Sequence, residues 1–315
     1  MKDSSRVSID GNGRAASYRS RGYSGHMCCL FSSYKIIKIG SGATSARHTS
    51  KLYWFVRQIG ETRYGVRAIN SASLPWGEET VVSASILHAD YTPEIAHFEG
   101  TMLPSIRRHK YQPDWGNSGQ SGGFPFPIGI DESNVRALFD LGLEYIGEDR
   151  INNGKRIVNQ LLNLRTPFTG KDQFLFNEFG IALRKVGLHD TAVSYYKRAL
   201  NYTDKDDHLY YNLARAHYEQ GQWWDCMEAL GKCFEFNPEL TVSRGLVELI
   251  VAMAQSPRLL ERHEKPPVPG GVARRARLLA ETFVFSGPLD TGIMPVNLER
   301  RRVWSGEDNQ YGGKG

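Results

Sequence analysis

The sequence predicts a mainly α-helical protein in which an array of helical hairpins follows a small α+β element and the two ends of the chain are disordered. Three observations predict this class. The apolar pattern of residues 173–206 recurs 34 residues later, aromatic and β-branched runs flank a Gly-Glu-Thr turn, and the ends are rich in Ser, Gly, Arg and Pro without an apolar period. We therefore divide the chain into a flexible leader (1–48), a small element with a β-hairpin (49–105), a linker (106–130), a helical array (131–256) and a mostly disordered basic tail (257–315).

The leader and the small element differ in composition. Residues 1–48 are too polar and aperiodic to offset the entropy lost on ordering. From Lys51, the sequence KLYWFVRQIGETRYGVRAIN indicates two strands joined by a short loop that contains glycine. Phe55 and Val56 lie on opposite faces of the first strand, so both faces begin apolar and the strand should lie against another element. We expect a short helix from about Ser83 and a further strand near His97 to supply the cover.

The linker and the tail are predicted from their composition. Residues 107–130 combine charge, glycine and proline without an apolar period, which is typical of a linker. After residue 256 the chain begins with prolines and arginines and has no steady period. The tail is therefore expected to be mostly disordered, with one short helix at 272–282.

The array is predicted from two segments that align with a constant offset of 34 residues. Phe176 aligns with Tyr210, and the small Gly180 aligns with Ala214. The remaining matches of the frame are Phe179 with Leu213, the turn glycines Gly187 and Gly221, Ala192 with Cys226, Ala199 with Cys233, and Pro238 at the end of the second segment. Small side chains recur where the two helices of a hairpin approach each other, because larger ones would keep the axes apart. The frame gives repeats of about 173–206 and 207–240.

A degenerate repeat and a closing helix complete the predicted array. Residues 135–168 place Leu138, Leu141 and Gly142 at the same positions of the frame, although four extra residues separate this unit from the next. Residues 241–255 are predicted to form the closing helix that covers the last apolar edge.

Two helices per unit and a period of 34 residues resemble the tetratricopeptide repeat (TPR) family. The resemblance covers about 120 of the 315 residues and concerns the fold rather than an activity. The YWFVR hairpin ahead of the repeats is also similar to the opening of uncharacterised bacterial repeat proteins of this kind, which adds no activity.

Charge and hydropathy limit the partners and the compartment. The net charge of +5 is too small over 315 residues to indicate a nucleic-acid partner, and the array itself is acidic, with 14 basic and 18 acidic residues over 131–256. No stretch has the 18 or so apolar residues of a membrane span, and residues 1–26 lack the apolar run of a signal peptide. A cytoplasmic protein is expected, and the sequence leaves its oligomeric state open.

We expect no enzyme, no cofactor and no metal site. The sequence has no nucleophile elbow, P-loop or zinc-protease motif, and its four cysteines lack zinc-knuckle or thioredoxin-type spacing. Cys226, Cys233 and His217 fall on packing positions of the frame, where small or buried side chains are required. No catalytic residue is therefore assigned.

In the family that the array resembles, the first helices of successive units line a concave groove that binds partners. The resemblance implies a peptide-binding set that mixes cationic, amide and aromatic side chains. Carried over position by position, it consists of Asn177, Ile181, Arg184, Lys185, His208, Tyr211, Asn212 and Arg215. Amide side chains can hydrogen-bond a peptide main chain, and guanidinium groups can fork onto a carboxylate.

The sequence thus predicts a non-enzymatic scaffold or adaptor that binds a peptide or helix of a partner protein in this groove. Two alternatives stay open. The first is binding of RNA or of an anionic surface through the basic runs at 107–108, 274–277 and 300–302, although few aromatic residues interleave them. The second is a secretion-type chaperone, a class whose known members are shorter and all-helical.

Overall fold

The structure is a computed structural model that describes residues 27–39, 46–111, 128–166, 172–203 and 205–282. These residues form two compact units, the first ending at 166 and the second beginning after it. We call them the sheet unit and the hairpin unit. The predictions for residues 1–26, for the middle of the linker (112–127) and for 283–315 lie outside the described residues. Within the described ranges, no helix combines the length and the apolar character needed to cross a membrane.

The sheet unit contains a five-stranded antiparallel sheet in the order β4-β3-β2-β1-β5. Its strands are β1 (Cys28–Ile39), β2 (Ala46–Gly60), β3 (Arg63–Ile69), β4 (Pro75–Ser83) and β5 (Thr92–Pro93). The predicted hairpin is confirmed as β2 and β3, which pair from Trp54–Ala68 to Gly60–Arg63. Phe55 and Val56 are both fully buried, so β2 is covered on both faces at this point.

Strand β1 lies inside the predicted leader, and the assignment of residues 1–48 as flexible is wrong for this strand. Residues 28–39 pair with β2 along their whole length. The short apolar run from Met27 to Phe31 is buried, and β1 lies between β2 and the edge strand β5. Burial also raises the pKa of the Cys28 thiol to about 12, as expected for a packing cysteine rather than a reactive one.

Short helices cover the sheet. They are α1 (Ala84–Asp90), α2 (Ile95–His97), a π-helical turn (Phe98–Met102) and α3 (Leu103–Arg108). The predicted helix from Ser83 is confirmed, since the Ser83 hydroxyl caps α1 by accepting a hydrogen bond from the Ile86 N–H. The predicted strand near His97 is wrong: that segment is helical, and Phe98 and Met102 point into the core with no exposed surface.

The first hairpin belongs to the sheet unit and consists of α4 (Glu132–Gly147) and α5 (Ile151–Leu162). Asn134 joins α4 to β1 because its Oδ1 accepts from the Cys28 N–H (3.0 Å) and its Nδ2 donates to the Cys28 carbonyl (2.9 Å). The small residue that the frame placed at Gly142 lies at a close contact of the two helices, since a Cβ on Gly154 of α5 would lie 2.5 Å from the Gly142 carbonyl oxygen.

The hairpin unit contains the two regular repeats. Its helices are α6 (Gln173–Lys185), α7 (His189–Leu200), α8 (Asp207–Glu219), α9 (Trp223–Phe236), α10 (Thr241–Met253), α11 (Pro257–Arg262) and α12 (Gly270–Glu281). Helices α6 and α8 start 34 residues apart, as do α7 and α9, which confirms the predicted period. Gly187 and Gly221 turn the chain between the helices with φ of 82° and 69°, a region that favours glycine.

The core of each hairpin uses the small residues that the frame predicted. Ala199, Ala214, Cys226 and Cys233 are fully buried. Gly180 faces the ring of Tyr196, which is itself fully buried. The predicted fold class of helical hairpins behind a small β-containing element is therefore confirmed, and α10 occupies the predicted closing position.

The tail is more ordered than predicted up to residue 282. Besides the expected helix near 272–282, which is α12, the chain forms α11 directly after α10. Ser256 caps α11 and Pro257 stands at its first position, a common start of a helix. Val272 and Ala276 of α12 are fully buried, because α12 packs against α10 and α9.

Candidate functional site

The predicted peptide-binding residues lie on α6 and α8, the first helices of the two successive hairpins. Asn177, Ile181, Arg184 and Lys185 are on α6, and His208, Tyr211, Asn212 and Arg215 are on α8. The two helices contact each other in the hairpin unit. We call the surface formed by these eight residues the α6–α8 face.

Two asparagines meet on this face. The Nδ2 of Asn212 donates to the Oδ1 of Asn177 at 3.0 Å, and both side chains are only partly buried. Among the described residues this is the one hydrogen bond of either side-chain amide. The amide hydrogens of Asn177 can therefore still donate a hydrogen bond, and the carbonyl oxygen of Asn212 can still accept one. An extended main chain presents a C=O and an N–H that match these two groups.

Two arginines approach each other at the other end of α6. Arg184 is 9% exposed, and burial together with the positive charge of Arg215 lowers the pKa of its guanidinium. The Nε atoms of Arg184 and Arg215 are both buried and have no hydrogen-bond acceptor among the described residues. Among the described residues neither arginine forms an ion pair, although the charge of Glu219 acts on Arg184.

Tyr196 and His189 lie near Arg184. Burial raises the pKa of Tyr196 to about 12, and the nearby charge of Arg184 partly opposes this shift. The Tyr196 hydroxyl does not form a hydrogen bond of standard geometry with the described residues. Burial, followed by Arg184 and Lys265, lowers the pKa of His189 against the opposing charge of Glu219, and its buried Nδ1 has no partner in the described part of the chain. A neutral His189 offers one N–H donor.

Lys265 completes the group and comes from the segment after α11. Its Nζ donates to the Glu219 carbonyl (2.8 Å) and lies 3.3 Å from the Glu219 carboxylate. We call Arg184, Arg215, His189 and Lys265 the cationic cluster. It carries three permanent positive charges beside the Glu219 carboxylate, which already pairs with Lys265.

Sequence reasoning missed His189, Tyr196 and Lys265. His189 and Tyr196 lie on α7, a second helix, and the frame carried over only first helices. Lys265 lies in the predicted disordered tail, although Ser256-Pro257 is a signal for the start of a helix. The segment after α11 packs on the turn of the second hairpin, because a Cβ on Gly221 would lie 2.6 Å from Pro266.

Not all predicted residues join the cluster. His208 is exposed near the start of α8 and bonds Asp207 through Nδ1 at 2.9 Å. It lies seven positions before Arg215, which is about 10 Å along the helix axis. Lys185 is exposed at the end of α6, and Ile181 is half-buried between the asparagine pair and the arginines. Tyr211 is half-buried beside Asn212 on α8.

One group of three side chains with metal-ligand chemistry occurs in the described part of the chain. Asp206, Asp207 and His208 place their ligand atoms within 4.8 Å of one another. Other bonds explain this arrangement: Asp206 caps α8 by accepting from the Leu209 N–H, and Asp207 accepts from Asn237 at 2.6 Å.

The described residues also form a shallow concavity in the sheet unit between α2 and α5, lined by Glu99, Arg156 and Asn159 among others and separate from the predicted site.

Comparisons with known proteins give a limited result. No family model and no curated protein matches the chain. Among solved structures it is similar to PcrH from Pseudomonas aeruginosa (18% identity, 49% of this chain and 93% of that chain, TM-score 0.25). It is also similar to MamA (18%, 47% and 75%, TM-score 0.29) and to the type III secretion translocator chaperone SycD of Yersinia enterocolitica (14%, 49% and 90%, TM-score 0.28). These TM-scores are too low to assign a function, and the fold rests on the helices described above.

Proposed function

We propose that this protein is a non-enzymatic adaptor that binds an extended segment or a helix of a partner protein on the α6–α8 face. Repeated helical hairpins make such surfaces by placing their first helices side by side. The eight residues of the face combine amide, aromatic and cationic side chains with the aliphatic Ile181. This composition favours a polypeptide over an apolar small molecule, because it offers several donors and acceptors over an extended surface.

The proposal rests on polar side chains of α6 and α8 whose hydrogen-bonding capacity is only partly used. In the Asn177–Asn212 pair, the amide hydrogens of Asn177 and the carbonyl oxygen of Asn212 have no partner among the described residues. At the other end, the buried Nε atoms of Arg184 and Arg215 have no acceptor among the described residues. Polar groups held in place on successive helices without partners within the described chain are ready to form hydrogen bonds with a partner.

The test uses the full chain. Proteins retained by the immobilised protein are identified by mass spectrometry, re-expressed, and titrated calorimetrically against wild type, Asn212→Ala and Ile181→Ala. We expect each substitution to weaken binding about tenfold, because each removes part of the contact surface. The matched control is Lys197→Ala, an exposed residue of α7 outside the face, which should bind as wild type does. Equal affinity for all four proteins would move the site away from the α6–α8 face.

A second candidate function is favoured by one observation on α12. Arg274, Arg275 and Arg277 are exposed on this helix, as an RNA or an anionic surface would require. The salt dependence separates the candidates. Electrostatic binding to nucleic acid weakens steeply as salt rises, whereas a mixed polar and apolar peptide contact changes much less.

A further inference from the structure

We propose that the sheet unit contains a binding site for a divalent transition-metal ion such as Zn²⁺, between the Nε2 of His88 and the carboxylate of Glu144. His88 lies on α1 and Glu144 lies on α4, so a bound ion would join these two helices. The site belongs to the sheet unit, and it does not depend on the proposed function of the α6–α8 face.

The first observation is a buried ring nitrogen without a partner. His88 is 6% exposed, and its Nε2 has no hydrogen-bond partner among the described residues. Its Nδ1 lies 3.1 Å and 3.3 Å from the two oxygens of the Glu148 carboxylate. An ionised carboxylate only accepts hydrogen bonds, so Nδ1 carries the proton and the Nε2 of the neutral ring has a free lone pair. Buried polar atoms nearly always have a partner, so this lone pair is available to a ligand.

The second observation is the position of the Glu144 carboxylate. Its Oε2 lies 3.8 Å from the His88 Nε2, which is too long for a hydrogen bond. Zinc holds imidazole nitrogen and carboxylate oxygen at about 2.0–2.2 Å, so two ligands of one tetrahedral ion stand roughly 3.4 Å apart. The side chain of Glu144 is 39% exposed, so its carboxylate can close the small remaining gap and water can fill the other coordination positions.

The charges at this place favour a cation. Burial raises the pKa of Glu144, the neighbouring His88 opposes this shift, and the carboxylate of Glu148 adds to it. A metal ion would stabilise the ionised form of Glu144 and accept the lone pair of His88 at the same time. One ligand is an imidazole, which suits zinc and related metals, whereas Mg²⁺ and Ca²⁺ prefer oxygen ligands.

The surroundings hold the imidazole in place. The ring of Tyr145 packs on the ring of His88 with the centroids 4.8 Å apart, and Arg150 donates to the His88 main-chain carbonyl. The Glu148 carboxylate occupies the position that orients metal-binding histidines and raises their basicity, because it accepts from the ring nitrogen that does not bind the metal.

The sequence contains no signal for this site. The expectation of no metal site rested on motifs of closely spaced ligands, and His88 and Glu144 are far apart in the chain. The three-residue group at the start of α8 is different, because its side chains already have partners: Asp206 caps the helix, and Asp207 bonds both His208 and Asn237.

Calorimetric titration of the chelator-treated full chain with Zn²⁺ tests the inference. We expect one ion per chain. Glu144→Gln, which removes a ligand, and Glu148→Gln, which loosens the histidine, should each weaken binding by about a factor of ten or more. Glu132→Gln is the matched control, because it makes the same change at an exposed position of α4 and should bind as wild type does. Mg²⁺ should not compete.

Hydrogen exchange of the wild-type protein locates the ion without any substitution. Zn²⁺ should slow exchange in α1 (Ala84–Asp90) and α4 (Glu132–Gly147), the two helices that it would join. This measurement tests the site even where a variant folds poorly.

Three outcomes would overturn the inference and leave the proposed function untouched. The first is equal zinc affinity of the wild type and Glu144→Gln. The second is loss of zinc binding in His208→Gln, with protection at α8 instead of α1, which would place the ion at the start of α8. The third is the absence of zinc binding, which would make His88 and Glu144 an ion pair with a protonated ring.

Discussion

Gly180 has no room for a side chain. A Cβ at this position would lie 2.5 Å from the ring of Tyr196, which is fully buried on α7. Gly180→Ala should therefore overpack the first regular hairpin and lower the free energy of unfolding by about 1–3 kcal/mol, although alanine favours helices. Urea unfolding followed by circular dichroism measures the change.

Gly231 supplies the matched control, since it also lies inside a helix but in an open place. A Cβ there would meet only the tip of the flexible Arg275 side chain, at 3.4 Å. Gly231→Ala should raise the free energy of unfolding by roughly 0.5–1 kcal/mol because alanine is the better helix former. If both variants shift stability in the same direction, the close contact at Gly180 is refuted.

The buried charge of Arg184 should lower the free energy of unfolding of the unbound protein. Arg184→Met keeps the length of the side chain and removes a buried charge that faces Arg215. We expect the free energy of unfolding to stay level or rise by up to about 2 kcal/mol, because an unpaired buried cation costs more than an apolar side chain of similar volume. Lys197→Met, at an exposed site, controls for the loss of charge. A fall of more than about 1 kcal/mol would mean that Arg184 is part of the structural core.

Single residues were predictable where the repeat frame applies to them. The frame located Gly180, Ala199, Cys226 and Cys233 because a hairpin needs small side chains where its axes approach. It also placed Arg184 and Arg215 on one face. It could not show that Arg184 is buried, because Tyr196, which lies beside it, belongs to a different helix. The eight-residue binding set as a whole stays a prediction.

Helix α4 is joined to strand β1 by a single amide side chain. Asn134 bonds both the N–H and the carbonyl of Cys28, and it also donates to the Gly129 carbonyl at 2.7 Å. Asn134→Ala leaves these buried main-chain groups without partners and should cost roughly 2–3 kcal/mol of unfolding free energy. Asn153→Ala, at an exposed position of α5, is the control and should change stability by less than about 0.5 kcal/mol. Equal effects would refute this role of Asn134.

The segment after α11 should respond to pH through His263. Its Nδ1 lies 3.0 Å from the Tyr218 hydroxyl, and burial, followed by Arg262 and Lys265, lowers its pKa below the ordinary value despite Glu219. The pKa of His189 is lowered in the same direction. Each contribution is fully present above about pH 6.5, the unfolded value, and is lost as the pH falls from there through the lowered folded value.

The free energy of unfolding should therefore drop between pH 7.5 and pH 5.5, above the range where most carboxylates titrate. The protection factors of residues 256–282 in hydrogen exchange, which correct for the pH dependence of intrinsic exchange, should fall over the same interval, since His263 holds this segment on Tyr218. In His263→Gln the pH dependence of both measurements should shrink, as glutamine can accept from Tyr218 but does not titrate. An unchanged pH dependence in this variant would exclude His263 as the source.

Elements with a strong period were predictable, and short ones were not. Helices α6 to α10 follow from the apolar pattern and the turn glycines. Strand β1 was missed because only a short apolar run marks it within a polar leader, and its strand character depends on pairing with β2. The segment at His97 was taken for a strand, but tertiary packing of Phe98 and Met102 makes it helical.

The division of the whole molecule differs from the division of the sequence. The predicted array over 131–256 treats all three hairpins as one domain, whereas the compact units separate the first hairpin from the other two near residue 166. The first hairpin packs against other elements of the sheet unit. Asn134 of α4 bonds strand β1, and α5 contacts α2. A repeat pattern identifies hairpins but does not determine which neighbour each one packs against.

Binding on the α6–α8 face can be followed by hydrogen exchange of the full chain with and without a bound partner. We expect slower exchange in α6 (Gln173–Lys185) and α8 (Asp207–Glu219) on binding, and the loss of this protection in Asn212→Ala. Protection confined to the sheet unit or to α12, with α6 and α8 unchanged, would contradict it.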